Sequence, residues 1–279
     1  MLLTPSEIRL KVKTIKSLPT LSGVVKRLCI KVDSETTSFA EVAKIICKDQ
    51  VLAAKVLKIV NSPVYGFSGR IATVNHALVL LGFSVVKGIV LSAAIIEYMC
   101  KCLVGLWEHS LGVAVAADRI ARTLGVKDPE EVSTAGLLHD LGKVIIGVEM
   151  RREGQWVLNE VRNWKIPFVE AEKRILNGVT HAEIGSWLAE EWKLPARLSE
   201  PIAFHHNPRG ASSAKEATAI IHLADILIRA LQFGSGGDPY IPQIDGFALE
   251  VLDLKMGDLA GLLDVIADEL EGLDTSGFA

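Results

Sequence analysis

The sequence predicts an all-α protein. Apolar residues recur at three- and four-residue spacing in almost every segment, and no stretch alternates apolar and polar residues long enough to make a sheet. Several segments also open on helix-start signals. Residues 39–60 place Val42, Ile45 and Ile46, then Leu52, Val56, Ile59 and Val60, on apolar stripes. Lys48–Gln50 interrupts them, so two short helices with a polar joint are expected. Residues 61–70, with Pro63, Gly66 and Gly69, read as a loop. Residues 75–99 read as one or two buried helices. Asp128 before Pro129 reads as an N-cap followed by a proline at the first helical position. Thr180–Glu183 and Ser213–Glu216 both have capping-box spacing. Their stripes are Ile184, Leu188 and Trp192 in one case, and Ile220, Ile221, Ala224 and Ile228 in the other. Residues 234–246 are a turn-rich connection, and a last acidic amphipathic helix is expected over about 256–271, with a loose tail after it.

Hydrophobic residues make up 49% of the 279-residue chain and charged residues 23%, enough apolar surface for a substantial core. With 30 basic against 33 acidic residues the net charge is −3, which gives no electrostatic footprint for nucleic acid or anionic lipid. Cys29, Cys47, Cys100 and Cys102 form no metal or redox spacing and read as reduced, mostly buried thiols of a cytoplasmic protein. The first residues are amphipathic and charged, unlike a signal peptide. Ala77–Ile96 approaches the length of a membrane span, but Lys87 sits near its middle and Gly82 and Gly88 interrupt it, so a buried core helix is expected. Chemistry-capable residues are sparse before residues 100–106 and dense after them. That contrast divides the chain into an N-terminal helical subdomain, 1–102, and a metal-binding helical subdomain, 103–279.

Six of the seven histidines lie between positions 109 and 222. His139 and Asp140 follow the apolar run Ala135–Leu138, where unpaired polar groups would be costly to bury. On a helix the two side chains would point about 100° apart, so nitrogen and carboxylate could approach one site from neighbouring directions. His109 lies on the apolar face formed with Val113, Ala116, Ala117 and Ile120, where a core histidine bonded to a carbonyl is the ordinary alternative. His181 stands in a first helical turn, a position also used by plain exposed histidines. His205 and His206 end a segment that Pro208 must terminate. Asp225 is set among Ile221, Ala224 and Ile228 and needs a partner, with Arg229 one turn on as a competitor to metal. His222 reads as a supporting or surface residue. Each ordinary alternative is respectable alone; together they require five histidines and two aspartates to fall in apolar helical settings by coincidence. Mixed imidazole and carboxylate donors suit Fe, Mn, Ni, Co or Zn.

This ordered set resembles the ligand pattern of the HD superfamily and is similar to the longer set of HD-GYP phosphodiesterases. The segments SLPTLSGVV (17–25), QVLAAKVLKIVNSPVYG (50–66) and VNHALVLLGFSVVKGIVLS (74–92), with WEHSLGVAVAADRIA and AGLLHDLGK later, resemble the HDOD family closely. The likeness runs from about residue 14 to 230. It implies an N-terminal helical subdomain packed on an HD-like helical core. It also implies a metal centre of His109, His139, Asp140, His181, His205, His206 and Asp225, with Asp140 bridging two divalent transition-metal ions. The GYP signature is missing after the histidine pair, where the residues are HHNPRG. Gly105 replaces the extra glutamate that some HD-GYP enzymes carry, which implies two ions rather than three. Phosphoester hydrolysis on a nucleotide-type substrate follows as one expectation, with Asp140 and Lys143 in catalytic roles. A regulatory module that binds a signalling partner or a phosphate-containing small ligand follows as the other, because many HDOD proteins serve as adaptors.

Overall fold

The computed structural model describes residues 2–14, 38–67 and 69–273, and every regular element among them is helical. The SLPTLSGVV segment and Cys29 lie outside the described residues, as do the last six residues. In chain order the helices are α1 (Pro5–Thr14), α2 (Phe39–Ile46), α3 (Gln50–Val60), α4 (Val74–Cys102), α5 (Leu106–Thr123), α6 (Pro129–Leu138), α7 (Leu141–Glu149), α8 (Arg151–Trp164), α9 (Phe168–Ile175), α10 (His181–Glu191), α11 (Ala196–Phe204), α12 (Lys215–Ala230), α13 (Gly246–Val251) and α14 (Asp258–Glu271).

Helices α5 and α12 are apolar around most of their circumference and bury almost every residue, so they occupy the middle of the fold. α5 packs between α6 and α12, α11 lies against α6 and α12, and α7 crosses α10. The stripes expected in α2, α3, α10 and α12 are the faces that are buried. The expected joint is present one residue earlier than Lys48–Gln50: Gln50 already begins α3, with Asp49 capping it by accepting from the Leu52 N–H. α4 is long and apolar enough to cross a membrane, but 61% of its most apolar window is buried against neighbouring helices. It is two helical runs joined at Gly82, whose φ of 76° lies in the left-handed region open to glycine.

Within the 61–70 loop, the Asn61 carboxamide bonds both the N–H and the carbonyl of Ile71. Buried Tyr65 bonds the Thr134 hydroxyl on α6 at 3.0 Å. These side chains are engaged internally and fasten the loop to the helix that leads into His139.

Three local expectations are corrected. Asp128 stands at the N-cap of α6 but makes no capping bond. Its φ is 56°, and its carboxylate turns to Arg197, 3.2 Å away. Ser213 does not cap α12 either: the Glu200 carboxylate, from α11, takes the backbone N–H groups of Ser212, Ser213 and Ala214 at 2.7–3.1 Å. Of these only the Ala214 N–H is an orphan donor of α12; the bonds to Ser212 and Ser213 fix the chain that leads into it, and the ionised carboxylate lies at the positive end of the helix dipole. Glu200→Ala is expected to lower stability by about 1–2 kcal/mol in urea unfolding, the usual loss for a strong cap. The cysteines are less buried than expected: Cys47 is exposed at the end of α2, and Cys100 and Cys102 are half-buried near the end of α4. They sit where their helices leave the core.

Candidate metal centre

The site forms where five helix ends and one helix body meet. His109 projects from the first turn of α5 and Asp225 from the middle of α12. His139 and Asp140 lie at the joint between α6 and α7 rather than within one helix, with Asp140 at φ −95°, ψ 15°. That break corrects the single-helix expectation. It still presents the two side chains to one centre, because His139 keeps helical backbone angles. His181 begins α10, and His205 and His206 close α11. All of these side chains are buried except His206, which is partly buried.

All seven expected ligands come together, in two overlapping halves. In the first, His109 Nε2 lies 3.0 Å from Asp225 Oδ1 and 3.7 Å from Asp140 Oδ2, and His139 Nε2 lies 3.3 Å from Asp140 Oδ2. In the second, His181 Nε2 is 3.2 Å and His205 Nε2 3.8 Å from Asp140 Oδ1, and the His206 Nε2 is 3.0 Å from that of His181. Asp140 therefore turns one oxygen to each half. The sets His109–His139–Asp225 and His181–His205–His206 each present three donor atoms within 4.8 Å of one another, close enough to hold a metal ion.

Hydrogen bonds fix which nitrogen points inward. His139 Nδ1 lies 2.7 Å from the Gly136 carbonyl, and His205 Nδ1 lies 3.1 Å from the carbonyls of Pro201 and Ile202. His181 Nδ1 lies 2.7 Å from the Glu172 carboxylate. Those oxygens only accept, so each Nδ1 carries a proton and Nε2 is the atom that each ring turns to the centre, where deprotonation leaves a lone pair for a metal. Burial, reinforced by the neighbouring histidines, holds His205 and His206 well below the ordinary imidazole range, so both stay neutral. Burial also lowers His109. His181 is pulled down by burial but raised overall by Glu172. Lone pairs meeting at 3.0–3.3 Å repel one another unless a cation lies among them, whether proton or metal. His109 Nε2, His139 Nε2 and Asp140 Oδ1 are buried and make no hydrogen bond of good geometry. Inward lone pairs and unbonded buried oxygen are what a transition-metal ion satisfies, so the residues fit one.

The carboxylates are ionised. Burial would raise Asp140, but His139 and Lys143 bring it well below the usual carboxylate range. For Asp225, Arg229 and His109 overcome burial in the same way. Lys143 is not a surface residue: it is 4% exposed, its ammonium 2.6 Å from Asp140 Oδ2 and 5.3 Å from the Phe168 ring centroid. Arg229 bonds Asp225 at 2.9 Å, so the competing partner named from the sequence is present beside the histidine. His222 Nδ1 donates to the His205 carbonyl at 2.7 Å, and its Nε2 accepts from the Asp245 N–H. It braces the turn that carries the histidine pair. Gly105 needs its left-handed backbone (φ 88°), and a side chain there would press on Ser235; Ser235 donates its N–H to the Gly105 carbonyl.

Two residues that the sequence reading missed shape the site. Glu172 holds His181 through both Nδ1 and the backbone N–H. Its signal was a charge on the buried stripe of α9, alongside Phe168, Ala171 and Ile175. Glu172→Gln is expected to weaken metal binding at the His181 half by about 10–100-fold, the usual cost of losing an orienting carboxylate. Titration of the metal-depleted protein with Zn or Mn measures it, and an unchanged affinity would refute this orienting role. Asp238, in the turn-rich 234–246 segment, accepts from the Phe168 N–H at 2.8 Å and pairs with Arg229 at 3.4 Å. Nothing in its glycine- and proline-rich context marks it.

A family model described as the HDOD domain matches residues 18–208. An uncharacterized protein of Treponema pallidum is 25% identical over 233 residues, which is 81% of this chain but 44% of that protein. The chain therefore spans less than half the length of this curated relative. Among solved structures, an HDOD domain protein of unknown function from Geobacter sulfurreducens is 27% identical, with a TM-score of 0.68 over 96% of this chain and 98% of that one. A protein from Shewanella amazonensis, provisionally named a phosphohydrolase, is 23% identical with a TM-score of 0.66 over 94% and 96% of the two chains, a likeness of fold.

Proposed function

The chain belongs to the HDOD domain family, and from that premise we propose that it is a cytoplasmic signalling protein with an intact dinuclear metal site that hydrolyses a nucleotide-type phosphoester. One observation carries the reading: Asp140 directs its two oxygens into two separate sets of inward-facing histidine nitrogens. His109, His139, Asp140 and Asp225 would hold one divalent ion, and Asp140, His181, His205 and His206 the other, each Fe, Mn, Ni, Co or Zn. Such ions supply Lewis acidity and lower the pKa of a bound water. The chain's own residues do the rest. Glu172 and the Gly136, Pro201 and Ile202 carbonyls hold the imidazoles by Nδ1 and keep Nε2 facing the centre. The Lys143 ammonium lies close enough to offset charge on a phosphoryl group beside Asp140. His206 reaches a cleft of about 470 Å³, which gives a substrate its approach.

A second reading has a specific observation behind it. Lys143 and Arg229 already neutralise the two aspartates, and every ligand but His206 is closed off from solvent. That closure favours a regulatory module in which the metal sets the shape and a signalling partner reads it. Metal analysis of the purified protein, followed by assays of phosphomonoester and cyclic-dinucleotide hydrolysis with and without His139→Ala, separates the two. Two ions per chain and turnover abolished by the substitution support the enzyme. Two ions without turnover of any phosphoester establish the module. Metal-free folded protein would remove the site.

A further inference from the structure

A cleft of about 380 Å³ opens beside the metal centre, between the end of α4, the body of α7 and the start of α8. Lys101, Lys143 and Arg151 are among its lining residues, and no aspartate or glutamate lines it. Lys143 is buried at its floor. Arg151 is exposed at the rim and makes no ion pair among the described residues; Lys101, also exposed, is 4.0 Å from Glu97. Tyr98 and Phe168 supply aromatic surface, and Gln155 a neutral polar group. No metal-ligating residue lines this cleft. Phe168 stands between it and the centre, its ring 6.2 Å from that of His181.

The geometry points to a second binding site here, for a phosphate monoester carrying an aromatic base, a nucleoside monophosphate in chemical class. A lining with three cations and no acidic side chain suits a phosphate dianion, with Arg151 the cation that has no ion-pair partner among the described residues. The volume lies within the range of small-molecule pockets, and a half-buried tyrosine offers a base a face to stack on. The floor makes the site more than a surface patch. The ammonium that would meet the phosphate is the one bonded to Asp140, the carboxylate shared by both halves of the metal centre. Phosphate drawing Lys143 away from Asp140 strengthens that carboxylate as a ligand, so nucleotide and metal binding are positively linked. The cleft stands on its own residues and does not require the centre to be catalytic.

Calorimetric titration of the 279-residue chain with GMP, and separately with inorganic phosphate, tests this. GMP is expected to bind at least tenfold more tightly than phosphate. The Lys101→Glu/Arg151→Glu variant, altered only at exposed positions, is expected to lose at least tenfold in GMP affinity while keeping its metal content and circular dichroism. GMP binding is expected to persist, more weakly, after chelation of the metal. Unchanged affinity in the double variant, phosphate binding as tightly as GMP, or GMP binding abolished by chelation in protein that stays folded would each overturn the proposal. None of these bears on the ligand set, which the metal content reports separately.

Discussion

Asp140→Asn is expected to abolish metal binding in both halves of the centre. Among the described residues Asp140 is the carboxylate that turns an oxygen to each half, since Asp225 serves the His109 side and the histidine triplet the other. The amide is uncharged and binds a transition metal far more weakly than a carboxylate. The variant is also expected to be less stable, because it leaves the Lys143 ammonium buried at 4% exposure without its counter-charge. Removing one partner of a buried ion pair costs about 3–5 kcal/mol. Combining it with Lys143→Met separates the two effects: the double variant is expected to recover most of the stability and none of the metal. Elemental analysis and urea unfolding of the three proteins decide the matter. Wild-type metal stoichiometry in Asp140→Asn would show that this carboxylate is not shared.

Gly142→Ala is expected to damage both the fold and the site, although it adds one methyl group. A β-carbon at Gly142 would overlap the carbonyl oxygen of His181 and crowd that residue's backbone, and backbone cannot swing aside as a side chain can. At the same crossing a β-carbon on Gly185 of α10 would come 3.4 Å from the Gly142 nitrogen. Helices α7 and α10 thus touch through glycines, and the closeness sets His181 3.2 Å from Asp140. Overpacking of this kind costs about 1–3 kcal/mol or more. The displaced α10 is expected to carry His181 out of range, so about one ion per chain should remain, held by the His109 half. Retention of two ions at wild-type affinity would show that the crossing does not position the site.

The helices were legible because burial in this chain follows helical period. Val42, Ile45 and Ile46 form the buried face of α2, and Leu52, Val56 and Ile59 that of α3, as their spacing in sequence requires. The capping box at Thr180–Glu183 was legible for a similar reason, since both of its bonds span three residues. The cap on α12 was not: Glu200 stands twelve to fourteen residues before the N–H groups it satisfies, and nothing local distinguishes it from a surface acid. Glu172 and Asp238 escaped for the same reason. Their partners, His181 and Arg229, lie nine residues away in each case, on other elements.

The sequence by itself determined the helical class and the identity of the candidate ligands. Both rest on signals carried within a turn or two of chain: periodicity, caps, and ionisable residues in apolar runs that have no local reason to hold them. Tertiary structure decided how those ligands divide. Asp140 faces both ways because α6 ends and α7 begins at that residue, and the two histidine groups reach it from α5 on one side and from α10 and α11 on the other. Tertiary structure also decided that Lys143 is buried and that the imidazoles point Nε2 inward. Those outcomes depend on carbonyls, carboxylates and close glycine crossings supplied by segments remote in sequence, whose positions no local pattern encodes.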